Sequence, residues 1–167
     1  LDFDIKSDLT ALQQKLIKKG FDIPKNLASD ELLDLAFSSA ITPQLNKETI
    51  TFVYDFPQDQ AALARIKPGT PPVAARFEML LGGIELANGF DELTDAIEQK
   101  KRFDAEQQRR QTAGYHVPPI DKDFISALSY GLPRCSGVAV GLDRLLAIIA
   151  GLNDLSQTMS FAHPVDH

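Results

Sequence analysis

Several residue types that mark common functional classes are scarce in this sequence of 167 residues. It has one cysteine, Cys135, no tryptophan, and three histidines at His116, His163 and His167. One cysteine excludes an internal disulfide, and the histidine spacing is not that of a transition-metal site. No apolar run reaches membrane-spanning length, and the amino-terminal residues lack the order of a signal peptide. We therefore expect a cytoplasmic protein.

Positive charge is scarce as well. The 17 Lys and Arg residues against 23 Asp and Glu give a formal net charge of -6. Because non-specific binding to a phosphate backbone depends on accumulated Lys and Arg, this balance argues against a general nucleic-acid binder. It does not exclude a small anionic ligand held by one or two cations. The hydrophobic fraction of 44% and the length predict a single globular domain over residues 1–167.

Periodicity predicts an α+β fold. Helical spacing predicts helices at 7–19, 29–39, 91–112, 121–130 and 143–151, the first capped by Ser7 or Asp8. Strand patterns lie at 50–56, across a hairpin at 74–88, and at 137–142, with a loop at 66–72. The stretch 137–142 is apolar enough to predict a buried strand. Strands flanked by helices, with no βαβ series, indicate an antiparallel sheet flanked by helices.

Two glutamates of the predicted hairpin have a spacing that favours cation binding. If residues 82–83 form a two-residue turn, Glu78 pairs with Ala87, and Glu78 and Glu85 project from one face. Converging carboxylates repel each other and need water, a cation or raised pKa values. Magnesium with phosphate oxygens as further ligands meets that need. The alternative is that both glutamates lie on a solvated sheet face.

The other face of the hairpin is predicted to be apolar and to pack on the core. It takes Phe77, Met79, Leu81, Ile84 and Leu86. Simple alternation places Asn88 on the face opposite Glu85. A bulge or a strand end near Ala87 would be needed to bring Asn88 round to the side of the glutamates.

A glycine-containing strand at 137–142 leads directly into a helix that carries Arg144 in its first turn. Glycines in a strand permit close approach by a ligand or another backbone. A cation is unfavourable at a helix amino terminus unless an anion joins it, so Arg144 indicates a phosphate site. The alternative is an ion pair with a nearby carboxylate. The glycines match neither the P-loop nor the Rossmann fingerprint.

Three segments, in this order, resemble the lysyl branch of the class II aminoacyl-tRNA synthetases. They are TFVYDFP at 51–57, RFEMLLGGIELANGFDELTD at 76–95 and LPRCSGVAVGLDRLL at 132–146. The stretch GVAVGLDRL is similar to the third signature motif of that family. The resemblance spans roughly residues 50–150 and implies a sheet core over 50–167 that carries this motif. Residues 1–49 match a helical insertion only loosely.

The resemblance implies a nucleotide site. Glu78 and Glu85 match the glutamates that bind magnesium and ATP, and Arg144 matches the arginine on the terminal phosphates of ATP. Gly141 is expected to let the backbone lie close to ATP. Within this set the resemblance implies that Arg144 and Glu85 are catalytic.

The resemblance also implies an amino-acid site. Asn88 matches a contact to the substrate and its activated carboxyl, and Glu92 matches the acid that pairs with the lysine ammonium. Lysyl-tRNA synthetases usually have glycine where Ala139 stands. Ala139 and Cys135 are more similar to a paralogous group that lysylates elongation factor P. One methyl at Ala139 would reshape the pocket floor, which discriminates between lysine isomers by about 1–3 kcal/mol.

The reaction implied by the resemblance is ATP-dependent activation of lysine or β-lysine as an adenylate, followed by transfer to a lysine of elongation factor P. The alternatives are charging of tRNA, a non-catalytic synthetase-like binding module, and an α+β domain without a ligand. The first two signature motifs find no match and would precede Leu1. We therefore expect this chain to hold half of the site, to be inactive alone, and to form a homodimer when intact.

Overall fold

The structure is a computed structural model that describes residues 9–24 and 27–162. Its α-helices are α1 Leu9–Lys18, α2 Ser29–Leu35, α3 Ala96–Ala113, α4 Lys122–Ser129 and α5 Leu142–Ala150. A π-helix at Ala36–Ile41 continues α2, and 3-10 turns lie at Thr42–Gln44, Gln58–Gln60 and Leu155–Thr158. The expected caps of the first helix, Ser7 and Asp8, lie outside the described residues, as do His163 and His167. No helix in the described part is long and apolar enough to cross a bilayer.

The strands form one antiparallel sheet, which confirms the predicted fold class. They are β1 Ile50–Pro57, β2 Ile66–Lys67, β3 Val73–Leu81, β4 Ile84–Asp91 and β5 Ser136–Val140. The order across the sheet is β1-β3-β4-β5, and the short β2 pairs with β3. The stretch predicted as a loop at 66–72 therefore begins with two strand residues.

A β-bulge in β4 sets the register of the hairpin. Leu80 pairs with Glu85 but Met79 pairs with Ala87, so one residue between them, Leu86, has no partner on β3. Beyond the bulge Glu78 pairs with Asn88, and the predicted pairing of Glu78 with Ala87 is wrong. Because paired residues share a face, Asn88 lies on the side of Glu78. We call this side the front face and the side that carries Phe77 and Met79 the back face.

The start of α3 also differs from its prediction. The helix begins at Ala96 and not at residue 91, because β4 continues to Asp91. The carboxylate of Asp95 accepts hydrogen bonds from the backbone N–H groups of Ile97 and Glu98, which satisfies two donors of the first turn. The acidic side chain of Asp95 thus acts as a helix cap.

Two clusters of buried residues lie outside the predicted apolar face of the hairpin, and of that face only Leu86 is fully buried, at 3% exposed. One cluster joins α1, α2 and the π-helix through Leu12, Leu16, Leu32, Ala36 and Ala40. The other joins Ala61, Ala64 and Ala74 beneath Phe56, Ile66 and Phe90. On the back face, Phe52 is 56% exposed and Val138 is 58% exposed. The prediction that β5 is buried is wrong, because within the described residues β5 pairs only with β4.

Candidate functional site

The sheet register brings three of the predicted site residues into one row on the front face. Glu78 of β3 pairs with Asn88 of β4, and Asn88 pairs with Ala139 of β5. Paired residues on adjacent strands lie about 5 Å apart, so the three side chains are direct neighbours. The position of Asn88 depends on the bulge, which alternation alone did not predict.

Arg76 lies at the centre of this region, and the sequence interpretation missed it. Its Nη2 makes an ion pair with Oε1 of Glu78, and its Nε lies 3.4 Å from Oδ1 of Asn88. Its Nη1 donates to the carbonyl of Gln60 at 2.9 Å, and its guanidinium stacks 4.3 Å above the ring of Phe56. The side chain is 17% exposed. One signal was available, because residues two apart in a strand share a face and Arg76 precedes Glu78 by two.

The pKa of Glu78 is raised above its ordinary value. Burial is the largest cause, since the side chain is 14% exposed, and the negative charge of Glu85 adds to it. The guanidinium of Arg76 acts in the opposite direction and does not overcome the burial. The two glutamates are therefore close enough to repel each other, as the predicted convergence requires.

Arg144 lies beside Glu85 at the start of α5. Its Nη1 donates to the backbone carbonyl of Glu85 at 2.9 Å and lies 4.0 Å from Oε2 of the same residue. The side chains are 50% and 41% exposed, respectively. The ion pair that was the alternative to a phosphate site is thus present at a long distance. It leaves most of the guanidinium donors available to an anion.

Gly141 connects β5 to α5. Its N–H donates to the carbonyl of Leu86 at 2.9 Å, next to the bulge. A Cβ placed on Gly141 would meet only the stem of Arg144 among its nearest neighbours, at 3.4 Å, which is an ordinary contact. Its φ of -76° is open to any residue. Nothing in the fold itself requires glycine here, which is consistent with the expectation of a close ligand.

Glu92 marks the other end of the front face. Its N–H donates to the carbonyl of Cys135 at 3.0 Å, and the residue forms an isolated bridge with Ala64. Its Oε1 lies well inside contact distance of the place where a side chain at Gly137 would begin. The carboxylate therefore rests over the bare backbone of β5.

Three parts of the site follow one another along β5 and into α5. Gly137 lies under the Glu92 carboxylate, Ala139 lies beside Asn88, and Gly141 leads to Arg144. With a rise of about 3.3 Å per residue, Gly137 and Ala139 are roughly 6.6 Å apart. The front face thus presents a carboxylate, an amide and a guanidinium in sequence along a floor of small residues.

A cavity of about 510 Å³ opens between the sheet and the α2 segment. Of the predicted site residues, Glu78 lines it, together with Arg76 and Asp34. Burial raises the pKa of the Asp34 carboxyl, and Nε2 of Gln60 donates to its Oδ1 at 2.7 Å. Since the carbonyl of Gln60 also holds Arg76, this chain of contacts connects α2 to Glu78. The cavity is therefore continuous with the Glu78 end of the row.

The residues on the front face fit a magnesium nucleotide. Among the described residues, no group of three or more His, Cys, Asp or Glu side chains is placed to hold a metal ion. Magnesium needs fewer protein ligands, because it retains water and phosphate oxygens. Burial, and in addition the negative charge of Glu85, raise the pKa of Glu78, and a divalent cation beside the two carboxylates would offset both effects.

Comparison with known proteins identifies the family. A family model of class II tRNA synthetases (D, K and N) matches residues 11–164. The chain is 47% identical over 132 residues to an elongation factor P–(R)-β-lysine ligase of Salmonella dublin, and this match covers 79% of the chain and 41% of the relative. The chain thus spans about two fifths of the length of that relative. The family expected from the sequence is confirmed: the chain belongs to the class II aminoacyl-tRNA synthetases.

Proposed function

We propose that this chain contributes the nucleotide and amino-acid contacts of a ligase that activates lysine or β-lysine with ATP and transfers it to a lysine of elongation factor P. The observation that carries the proposal is the row of Glu78, Asn88 and Ala139, with Arg144 at one end and Glu92 at the other. A sheet face that presents both charge signs in this order suits a cationic amino acid joined to a polyphosphate.

The amino acid is proposed to lie along β5. Its ammonium would meet the carboxylate of Glu92, and its carboxyl would lie near the amide of Asn88. The roughly 6.6 Å between Gly137 and Ala139 is close to the length of an extended lysine from ammonium to carboxyl. An amino acid with a short side chain would leave Glu92 without a partner.

The nucleotide is proposed to lie at the Arg144 end. Arg144 would hold the terminal phosphates through the donors that Glu85 leaves free, and Glu78 and Glu85 would hold the magnesium. When bound, that ion neutralises phosphate charge. A carboxylate oxygen of the amino acid attacks the α-phosphorus and pyrophosphate leaves; an acceptor amine then attacks the acyl carbon and AMP leaves. The residues of this chain act by positioning and charge neutralisation.

A protein acceptor is proposed over tRNA. The relative at 47% identity is named for elongation factor P, and the net charge of -6 opposes the phosphate backbone of a nucleic acid. Arginines on α3 do not form a free basic surface, because Arg102, Arg109 and Arg110 pair with glutamates of the same helix. Fluorescence anisotropy with labelled elongation factor P and labelled lysine tRNA separates the two. Tighter binding of the tRNA at physiological salt would favour the lysyl-tRNA synthetase alternative.

Calorimetric titration of the chain with Mg-ATP and L-lysine tests the binding site. We propose that the chain alone binds both ligands without turnover, since it spans 41% of the relative. Arg144→Gln should weaken Mg-ATP binding roughly tenfold or more, because it removes charge-assisted hydrogen bonds to phosphate. Arg110→Gln is the matched control, as its side chain is 41% exposed and pairs with Glu106 on α3. Equal affinities of wild type and Arg144→Gln would refute the nucleotide site.

Isomer selection is tested at Ala139. Ala139→Gly removes the one methyl on the floor beside Asn88 and should change the ratio of L-lysine to (R)-β-lysine affinity by roughly tenfold. Val138→Ala is the control, because Val138 lies on the back face opposite Gly89. An unchanged ratio would show that residues other than Ala139 discriminate between the two isomers.

A further inference from the structure

The backbone conformation of β5 does not explain why residue 137 is glycine. Gly137 pairs regularly with Phe90 in the antiparallel ladder between β4 and β5. Its φ does not lie in the left-handed region, in contrast to Gly82 and Gly83 of the hairpin turn. A residue with a side chain could therefore adopt the same backbone conformation.

Space is the reason for glycine at this position. A Cβ on Gly137 would overlap Oε1 of Glu92, and the next neighbour, Cδ of the same carboxylate, lies 3.5 Å away. The obstacle is thus the terminal group of one flexible side chain. Gly89 on β4 differs, because a Cβ there would overlap the ring of Phe77 and come within 3.0 Å of the backbone carbonyl of Gly137. Substitution of Gly89 disturbs the sheet, whereas substitution of Gly137 displaces only a carboxylate.

The backbone of Glu92 is held too firmly to move away instead. Its N–H donates to the carbonyl of Cys135, and the preceding Asp91 makes ion pairs with Arg65 and Arg134. The N–H of the following residue, Leu93, donates to the carbonyl of Leu63 at 2.9 Å. A group that intrudes from Gly137 must therefore be accommodated by rotation of the Glu92 side chain.

We propose that Gly137 is a positioning residue that sets where the Glu92 carboxylate lies along β5, and so determines the length of the cationic amino acid that the site accepts. The inference rests on the proposed contact between Glu92 and the substrate ammonium. With glycine, the carboxylate lies over residue 137 of β5, whose Cα is roughly 6.6 Å from that of Ala139. A methyl at residue 137 displaces the carboxylate, so the distance from the ammonium site to Asn88 changes.

A double-mutant cycle on the full chain tests this coupling. L-lysine affinity is measured by calorimetry for wild type, Gly137→Ala, Glu92→Gln and the double variant. Gly137→Ala and Glu92→Gln should each weaken binding roughly tenfold, and the double variant should bind no more weakly than Glu92→Gln alone. A further loss in the double variant equal to that of Gly137→Ala would overturn the proposal, because Gly137 would then act without Glu92.

Controls separate positioning from loss of structure. Val138→Ala, at the next position of β5, should leave lysine affinity unchanged, and Gly137→Ala should unfold within a few degrees of wild type. Glu92→Asp shortens the side chain by one methylene, so Gly137→Ala combined with Glu92→Asp should recover part of the lost affinity. Absence of any recovery would count against a positioning role.

The same experiment distinguishes failure of this inference from failure of the proposed function. If Glu92→Gln binds lysine as wild type does, the ammonium contact itself is refuted. If Glu92→Gln weakens binding but Gly137→Ala does not, only the role of Gly137 is refuted. A crystal structure of Gly137→Ala gives a readout independent of any ligand, since an unmoved Glu92 carboxylate would also refute it.

Discussion

Two arginine–glutamate pairs lie on the front face, and they are built differently. Arg76 and Glu78 are both mostly buried, and Arg76 also contacts the Gln60 carbonyl and the Phe56 ring. Arg144 and Glu85 are about half exposed, and their charged atoms are 4.0 Å apart. Similar side chains thus form a fixed ion pair at one position and an open one at the other.

The difference indicates which group is structural and which is available to a ligand. A buried guanidinium whose donors are used on three acceptors cannot rearrange without leaving polar atoms unpaired. An exposed guanidinium with a single short hydrogen bond can accept an anion at little cost. Arg76 therefore holds the front face in place, and the exposed guanidinium of Arg144 supports the phosphate-binding role proposed for it.

The largest expected effect is on stability at the fixed pair. Arg76→Gln should lower the free energy of unfolding by about 2–4 kcal/mol, because it leaves the buried carboxylate of Glu78 without its partner. Arg144→Gln should change it by less than about 0.5 kcal/mol, because its pair is exposed and long. Urea denaturation followed by far-ultraviolet circular dichroism measures both. Equal losses of unfolding free energy in the two variants would show that the buried pair and the exposed pair contribute equally to stability.

A smaller effect is expected in the pH dependence of stability. Because the pKa of Glu78 is raised in the folded state, its contribution is fully present below the ordinary value of 4.5 and is lost as the pH rises through the folded pKa. Glu78→Gln should therefore gain stability relative to wild type between about pH 4 and pH 7. Denaturation at several pH values tests this, and a relative loss over that range would contradict it.

Glu106 on α3 provides a control of opposite sign. Arg109, and then Arg110, lower the pKa of its carboxyl, and burial opposes them. Its contribution is present above 4.5 and is lost as the pH falls through the folded pKa. Glu106→Gln should thus lose stability relative to wild type near pH 7 and approach it in acid. The same trend in Glu78→Gln and Glu106→Gln would show that the Glu78 site is not distinctive.

The smallest effect is expected at an exposed pair far from the front face. Lys100 and Asp104 lie one turn apart on α3, and their charged atoms are 2.7 Å apart on side chains that are at least half exposed. Asp104→Asn should change the free energy of unfolding by less than about 0.5 kcal/mol. This measurement gives the change in unfolding free energy on loss of an exposed ion pair, with which the change in Arg76→Gln is compared. A loss as large as that of Arg76→Gln would show that short distance, not burial, decides the contribution.

The sequence predicted the elements well because their signals are local. The 82–83 turn, the strand at 50–56 and the change from strand to helix after Gly141 all depend on residues adjacent in the chain. The contacts of Arg76 were not predictable in this way, since they join residues from 56 to 88 through a stacked ring and a backbone carbonyl. Such contacts depend on how the sheet packs and leave no periodic pattern.

The sequence predicted the β-bulge of β4 only in part. The position of Asn88 after the hairpin indicated that a bulge or a strand end was needed near Ala87, but not which residue would be left unpaired.

Burial of β5 was predicted wrongly because apolar residues predict a buried strand only where neighbouring elements cover that strand. In the described residues one edge and the back face of β5 are uncovered. The roles of the seven site residues stay predictions.

Leu86 gives β4 a change of parity. Up to the bulge the front face takes the odd position Glu85, and beyond it the even positions Asn88 and Glu92. On β4, the residue proposed to contact the nucleotide therefore lies at an odd position, and the residues proposed to contact the amino acid lie at even positions. A regular strand of the same sequence, with Leu86 paired and no bulge, would keep Glu85 facing forward and turn Asn88 and Glu92 backward, dividing the two halves of the proposed site without altering any of their side chains.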